Sequence, residues 1–175
     1  MKNLLIKISF VLLLGFVSMA AQAQEMNYKA QSLFLYNFVK YSKWPSPPLN
    51  NEFVITVVGE TPLVAELQAM AKIKKTPEGY NIVIRKANTA NDIGTTQLVY
   101  LADNKSKELK PLLEKTKGQP VLIVAEREGL TKKGAAINFV TLDNDILKFE
   151  LSRKMLESHK LRMAGELVQL ALLVD

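Results

Sequence analysis

Residues 53–73 read FVITVVGETPLVAELQAMAKI, and this stretch decides the fold. Phe53–Val58 is a short, β-branched and almost wholly apolar run, the pattern of a strand buried on both faces. Gly59-Glu60-Thr61-Pro62 turns the chain. Thr61 is a good helix cap, and Pro62 suits the first helical position, where its missing N–H costs nothing. Leu63, Leu67, Met70 and Ala71 then recur at helical spacing, so a helix runs to about Ile73. The same turn could offer a helix N-terminus to an anion. It lacks the glycine-rich dinucleotide fingerprint and the Gly-Lys-Ser/Thr of a P-loop, so it reads as a plain capped strand-to-helix turn.

Working outward toward the C-terminus, the alternation continues. Lys74–Tyr80 is a turn with Pro77 and Gly79, and Ile82–Lys86 is the next strand. Leu98–Ala102 is another apolar strand. Lys107–Thr116 reads as a helix with Leu109, Leu112 and Leu113 inward and Gly118 beyond its end. Val121–Ala125 is a further apolar strand, and Gly129 and Gly134 punctuate a basic loop. Ile137–Leu142 and Ile146–Leu151 form a hairpin around Asp143-Asn144-Asp145. Those three residues are ordinary turn formers, and their spacing does not match a calcium loop. Ser152 opens a helix to about His159, and Met163–Leu173 reads as a last helix with Leu167, Leu170, Ala171 and Val174 along one side. Strands alternating with helices predict an α/β three-layer sandwich: a mixed, mostly parallel sheet with helices on both faces.

Toward the N-terminus, residues 27–41 read as a helix, with Asn27 as a possible cap. Ala30, Leu33, Phe34, Phe38 and Tyr41 fall on one stripe, widened by Leu35 and Val39. Trp44-Pro45-Ser46-Pro47-Pro48 ends it, because proline cannot continue a helix. Five of the thirteen aromatic residues of the chain lie between Phe34 and Trp44. The cluster has two readings. It is either a core helix with Trp44 as a plug, or in part an exposed recognition surface, since Tyr and Trp pair apolar area with a polar tip. Tyr36 and Asn37 lie off the main stripe and suit exposure best.

Before that helix, Lys2 and Lys7 flank an apolar run from Ile8 to Ala21 that ends in Ala21-Gln22-Ala23. This is the layout of a secretory signal peptide cleaved after Ala23, with residues 24–175 as a single exported domain. The run is shorter than the roughly 20 residues of a membrane-spanning helix. Cleavage removes two lysines and no acid, so the formal charge of +6 falls to +4. The remaining lysines are spread along the chain, which suits solvated helix faces better than a nucleic-acid site.

The 175 residues include one His and no Cys. That excludes a disulfide framework, a thiolate-held metal and a thiol nucleophile. His159 sits at a helix end, where a cation suits the helix dipole, and no nucleophile motif joins it. Glu126, Glu128, Glu150 and Glu166 are scattered acids that sequence alone does not bring together. The sequence thus assigns no catalytic, cofactor-binding or metal-ligating residues and disfavours an enzyme.

Tyr28-Lys29-Ala30, Phe34-Leu35-Tyr36-Asn37-Phe38 and Trp44-Pro45 resemble the N-terminal signature of the YfiR family of periplasmic proteins. Phe53–Gly59 with Pro62-Leu63, then Val121–Val124, Ile137-Asn138-Phe139-Val140, Phe149-Glu150-Leu151 and Gly165–Ala171, resemble its later blocks in order. The resemblance implies a compact α/β sandwich, no catalysis and no cofactor. It implies a repressor bound to the periplasmic domain of an inner-membrane diguanylate cyclase or similar receptor, lowering cyclic di-GMP and biofilm formation. Self-association is also implied. Members often carry cysteines, one of them just before the middle strand, where this chain reads Thr95-Thr96-Gln97-Leu98. Redox control by disulfides is therefore not open to this protein. Expected partner anchors are Phe34, Tyr36, Asn37, Phe38, Trp44 and Pro45. The alternative is a periplasmic small-molecule binder with its ligand between the aromatic helix and the sheet.

Overall fold

A computed structural model describes residues 27–142 and 146–174. The signal-peptide reading of residues 1–23 and the turn at 143–145 lie outside the described residues. Residues 27–41 form helix α1. The following elements are β1 (Ser42–Lys43), β2 (Glu52–Val58), α2 (Leu63–Ile73), β3 (Asn81–Ala87), β4 (Leu98–Leu101), α3 (Leu109–Lys115) and β5 (Leu122–Ala125). Then come β6 (Ile137–Thr141), β7 (Leu147–Leu151), α4 (Arg153–Ser158), β8 (Arg162–Met163), α5 (Gly165–Val168) and β9 (Leu172–Leu173).

Seven strands make the main sheet in the order β3-β2-β4-β5-β6-β7-β9. Every neighbouring pair is parallel except β6–β7, the antiparallel hairpin, whose register pairs Phe139 with Phe149. The sheet is therefore mixed and mostly parallel, as the alternation of the sequence predicts. Successive side chains of each strand go to opposite faces. Ile55, Val57, Leu98, Tyr100, Leu122, Val124, Phe139 and Phe149 share a core with α1 and α2. Val58, Val99, Leu101, Ile123 and Ala125 share the other with Leu109 and Leu112 of α3. Helix α2 starts one residue later than its cap sequence predicts. Pro62 takes the cap position, and Thr61 Oγ1 still accepts the Leu63 N–H at 3.3 Å.

Two elements differ from expectation. The last helix is not continuous from Met163 to Leu173. It is the single turn of α5, after which Leu172 and Leu173 pair with Glu150 and Leu151 as β9. The free edge of β7 claims that backbone, and a ladder partner outweighs the helical spacing of four apolar side chains. The core stripe of α1 is also rotated. Leu35, Phe38 and Val39 are buried together with Gln31 and Ser32, whereas Leu33 is 61% exposed and Tyr41 faces solvent. The cause is polar. Tyr100 on β4 donates its hydroxyl to Gln31 Oε1 at 2.8 Å, which turns the Gln31 side of the helix inward. Burial raises the Tyr100 phenol far above its ordinary range, and the nearby Glu126 carboxylate adds to this, so the hydroxyl stays protonated as donor.

Candidate partner-binding surface

Helix α1 sets most of the expected anchors, and it places them in three different environments. Phe38 has no exposed surface. Its ring lies 5.0 Å from Phe149 edge-on and 6.0 Å from Phe139. Phe34 is partly buried and reaches Phe149 at 5.6 Å. Both belong to the core, and Phe38 touches nothing outside the molecule. Under the Phe34–Phe38 part of α1, the space above the sheet is filled by these rings.

Tyr36 is half-buried on the flank toward α2. Its hydroxyl donates to the Lys75 carbonyl at 3.3 Å, and the Lys74 ammonium lies 5.6 Å from its ring centre. Asn37 is half-exposed on the outer side. Leu33, Asn37 and Tyr41, four residues apart, form an outward row, with the Lys40 ammonium 4.9 Å over the Tyr41 ring. The spacing of Leu33 and Tyr41 matches the core stripe and so hides their exposure in the sequence; the Gln31–Tyr100 bond tells the two sides apart.

Trp44 and Pro45 follow the end of α1. β1 pairs antiparallel with β8, and the Ala164 N–H donates to the Tyr41 carbonyl at 2.8 Å, so the end of α1 is sewn to the C-terminal segment. Trp44 is half-buried. Its indole N–H donates to the Gln97 carbonyl at 3.2 Å, and its ring stands at 86° to Phe53 at 4.8 Å. Pro45 is exposed. The geometry thus brings Tyr36, Asn37, Trp44 and Pro45 to the surface around a firm helix and sends Phe34 and Phe38 inward.

The other place to look for chemistry is the crevice at the carboxyl ends of the strands. The first five strands run β3-β2-β4-β5-β6, an order that reverses between β2 and β4, where open α/β sheets hold ligands. Here that crevice is lined by Glu60, Asp103, Glu126 and Glu128 against Arg127. It is tied together by its own groups. The Asp103 N–H donates to Glu126 Oε2 at 3.1 Å, Asn104 Nδ2 donates to the Glu60 carbonyl at 2.9 Å, and Arg127 Nε meets Asp103 Oδ1 at 2.7 Å. Gly59, at φ 104°, packs so tightly that a Cβ there would sit 2.5 Å from Asn104 Oδ1. A phosphate would meet four carboxylates and no open backbone cradle.

His159 is buried, and its Nδ1–H donates to the Gln119 carbonyl at 2.9 Å, a packing role. Glu150 accepts the Thr131 hydroxyl on the far face of the sheet, and Glu166 is exposed on α5. Of the four scattered acids only Glu126 and Glu128 share a site. Among the described residues no three of His, Cys, Asp and Glu gather into a metal-sized cluster. Among them also, no helix is long and apolar enough to cross a membrane. The Thr56 hydroxyl donates to Thr96 Oγ1 at 3.0 Å, a buried link between β2 and the approach to β4.

A sequence profile described as YfiR/HmsC-like matches residues 28–172. No curated protein gives a match. Among solved structures, the ABC domain from Streptococcus pneumonia in complex with L-Trp is similar to this chain in fold, with a TM-score of 0.52 at 11% identity. The match covers 70% of this chain and 55% of that one, so this chain spans about half its length.

Proposed function

Because this chain belongs to the YfiR/HmsC-like family, we propose that it is a non-enzymatic regulatory protein, exported to the periplasm after loss of residues 1–23. It binds the periplasmic domain of an inner-membrane diguanylate cyclase or similar receptor and holds that receptor in its inactive state. Cyclic di-GMP and biofilm formation fall as a result. The observation that carries this reading is the family match, which runs from the first turn of α1 to β9. Regulation by binding needs differential affinity for the two receptor states, not a reactive centre.

The docking face we propose is the outer side of α1 with the segment after it: Tyr36, Asn37, Trp44 and Pro45, joined by Leu33 and Tyr41. An apolar and aromatic row on a helix braced from beneath meets a partner with little ordering cost. Phe34 and Phe38 support that helix from inside. The decisive experiment passes detergent-solubilised membranes over the tagged mature protein. A retained protein with a GGDEF domain, together with raised cyclic di-GMP after deletion of the gene, supports the proposal. Retention of no such protein and an unchanged cyclic di-GMP level would sink it.

A further inference from the structure

Helix α1 carries no Asp or Glu from residue 27 to residue 41, and its outer side carries Lys29 and Lys40, both exposed. Among the described residues neither ammonium belongs to an ion pair, whereas Arg85, Lys86 and Arg127 each do. We propose that this side receives an acidic amphipathic helix of the receptor, with two carboxylates three turns apart opposite Lys29 and Lys40. The inference rests on the docking face proposed above and adds the chemistry of what docks there.

Geometry sets the shape of the guest. At the α-helical repeat, Lys29, Leu33, Asn37 and Lys40 fall within an arc of about 80°, with Tyr41 at one border and Tyr36 at the other. Leu33, Asn37 and Tyr41 form a ridge at i, i+4 spacing, the kind of ridge that enters the groove of a second helix. Lys29 and Lys40 are eleven positions apart. That is about 16 Å along the axis and close to three full turns, so acids at the same spacing on one helix meet both. Charge sets the sign. The Lys40 ammonium is held 4.9 Å from the Tyr41 ring centre and the Lys74 ammonium 5.6 Å from that of Tyr36, so a cation stands beside each aromatic flank. An approaching carboxylate relieves the repulsion among these ammoniums, and an approaching cation adds to it. Leu33, 61% exposed between the two lysines, supplies the apolar contact. The centre of the ridge selects a protein over a lipid surface. Asn37 sits there, and an amide pushed among acyl chains loses its hydrogen bonds, whereas the polar flank of a helix can pair with it.

The test titrates the mature protein into two fluorescein-labelled synthetic helices of about 20 residues. Both carry the same leucine–alanine stripe; one is flanked by glutamates and the other by lysines. In about 50 mM salt the glutamate peptide should show a saturable rise in anisotropy and bind about tenfold more tightly than the lysine peptide. In about 500 mM salt the gap should fall below about twofold. Lys29→Glu/Lys40→Glu should reverse the preference, and Lys29→Arg/Lys40→Arg should keep it. Lys107 and Lys110 are exposed on and just before α3, which covers the opposite face of the sheet. Lys107→Glu/Lys110→Glu makes the same change in net charge and should leave the preference within about twofold of the parent. All the replaced side chains are exposed, so each variant should keep the parent's Tm, which shows that it folds. The proposal is overturned by the absence of saturable binding of the glutamate peptide, by equal binding of the two peptides, or by a Lys29→Glu/Lys40→Glu variant that prefers as the parent does. It is equally overturned if Lys107→Glu/Lys110→Glu abolishes the preference. Sedimentation with phosphatidylglycerol vesicles that the Lys29→Glu/Lys40→Glu variant loses would assign the face to lipid and overturn it as well. The peptides report on the face with no receptor present, so their result stands apart from membrane retention. A GGDEF-containing protein retained equally by the parent and by Lys29→Glu/Lys40→Glu would overturn the acidic helix and leave regulation by binding intact.

Discussion

The two faces of the sheet are packed with side chains of different size. The face under α1 and α2 is filled by volume: Phe38, Phe139, Phe149 and Tyr100 interlock beneath two long helices. The opposite face has no buried aromatic ring: Val58, Val99, Leu101 and Ile123, with Ala87, Ala90, Ala125 and Ala135, pack beneath the seven residues of α3 and short turns. Those turns are held by polar stitches. Thr89 donates both its N–H and its hydroxyl to Asp92 Oδ2 at 2.9 Å. Glu108 Oε2 accepts the Ala90 N–H at 2.8 Å, and Lys115 donates to the Asn91 carbonyl. A face built on area can present a stiff outer surface, since the helix above it rests on large rings. A face of smaller aliphatic side chains, edged by such stitches, has its turns shaped locally by each cap.

Phe38→Ala should cost about 3–5 kcal/mol in denaturant unfolding, the largest single effect expected. A smaller loss than that from Leu112→Ala, its counterpart under α3, would erase the contrast between the faces. Next comes Tyr100→Phe, which keeps the ring and leaves Gln31 Oε1 buried without its donor, at about 1–3 kcal/mol. An unchanged stability would mean that the Gln31 bond does not set the rotation of α1. On the stitched face, the hydrogen bonds from Thr89 hold the Asp92 carboxyl below its ordinary value. A carboxylate with a lowered folded pKa stabilises above its unfolded pKa, and the gain disappears as pH falls through the folded one. Asp92→Asn should therefore lower Tm at pH 7, with the difference fading below about pH 4. A difference that persists in acid would mean that shape, not charge, holds the turn. Smallest in stability is Leu33→Glu on the outer side of α1, which should stay within about 0.5 kcal/mol of the parent. The same variant should lose the membrane partner, and normal retention would move the docking face elsewhere.

The same contrast explains what could be read in advance. Strands such as Phe53–Val58 and Leu98–Leu101 announce themselves by unbroken apolar runs, because both their faces are covered. The helix at 63–73 announces itself by its spacing and its Thr-Pro start. The face of α1 does not, since one long-range hydrogen bond from Tyr100 decides which side goes in. Nor does β9, whose residues keep a helical spacing while β7 takes their backbone. The two-residue ladder of β1 with β8 leaves no local trace at all. Of the expected anchors, Tyr36 and Asn37 were legible as lying off the stripe. Phe38 could not be assigned until Phe139 and Phe149, a hundred residues later, were set against it.

That distance along the chain has a consequence for how the molecule is made. The first helix finishes packing only when β6 and β7 exist, and its end is tied down only by Arg162–Ala164. Loop closures of that span come late, so most of the chain must be present before its first helix is secure. A polypeptide threaded through a translocation pore from its N-terminus has to stay unfolded behind the point of entry. With its opening helix waiting on its closing residues, this topology delays its own completion until nearly the whole chain is free, which suits the export proposed above.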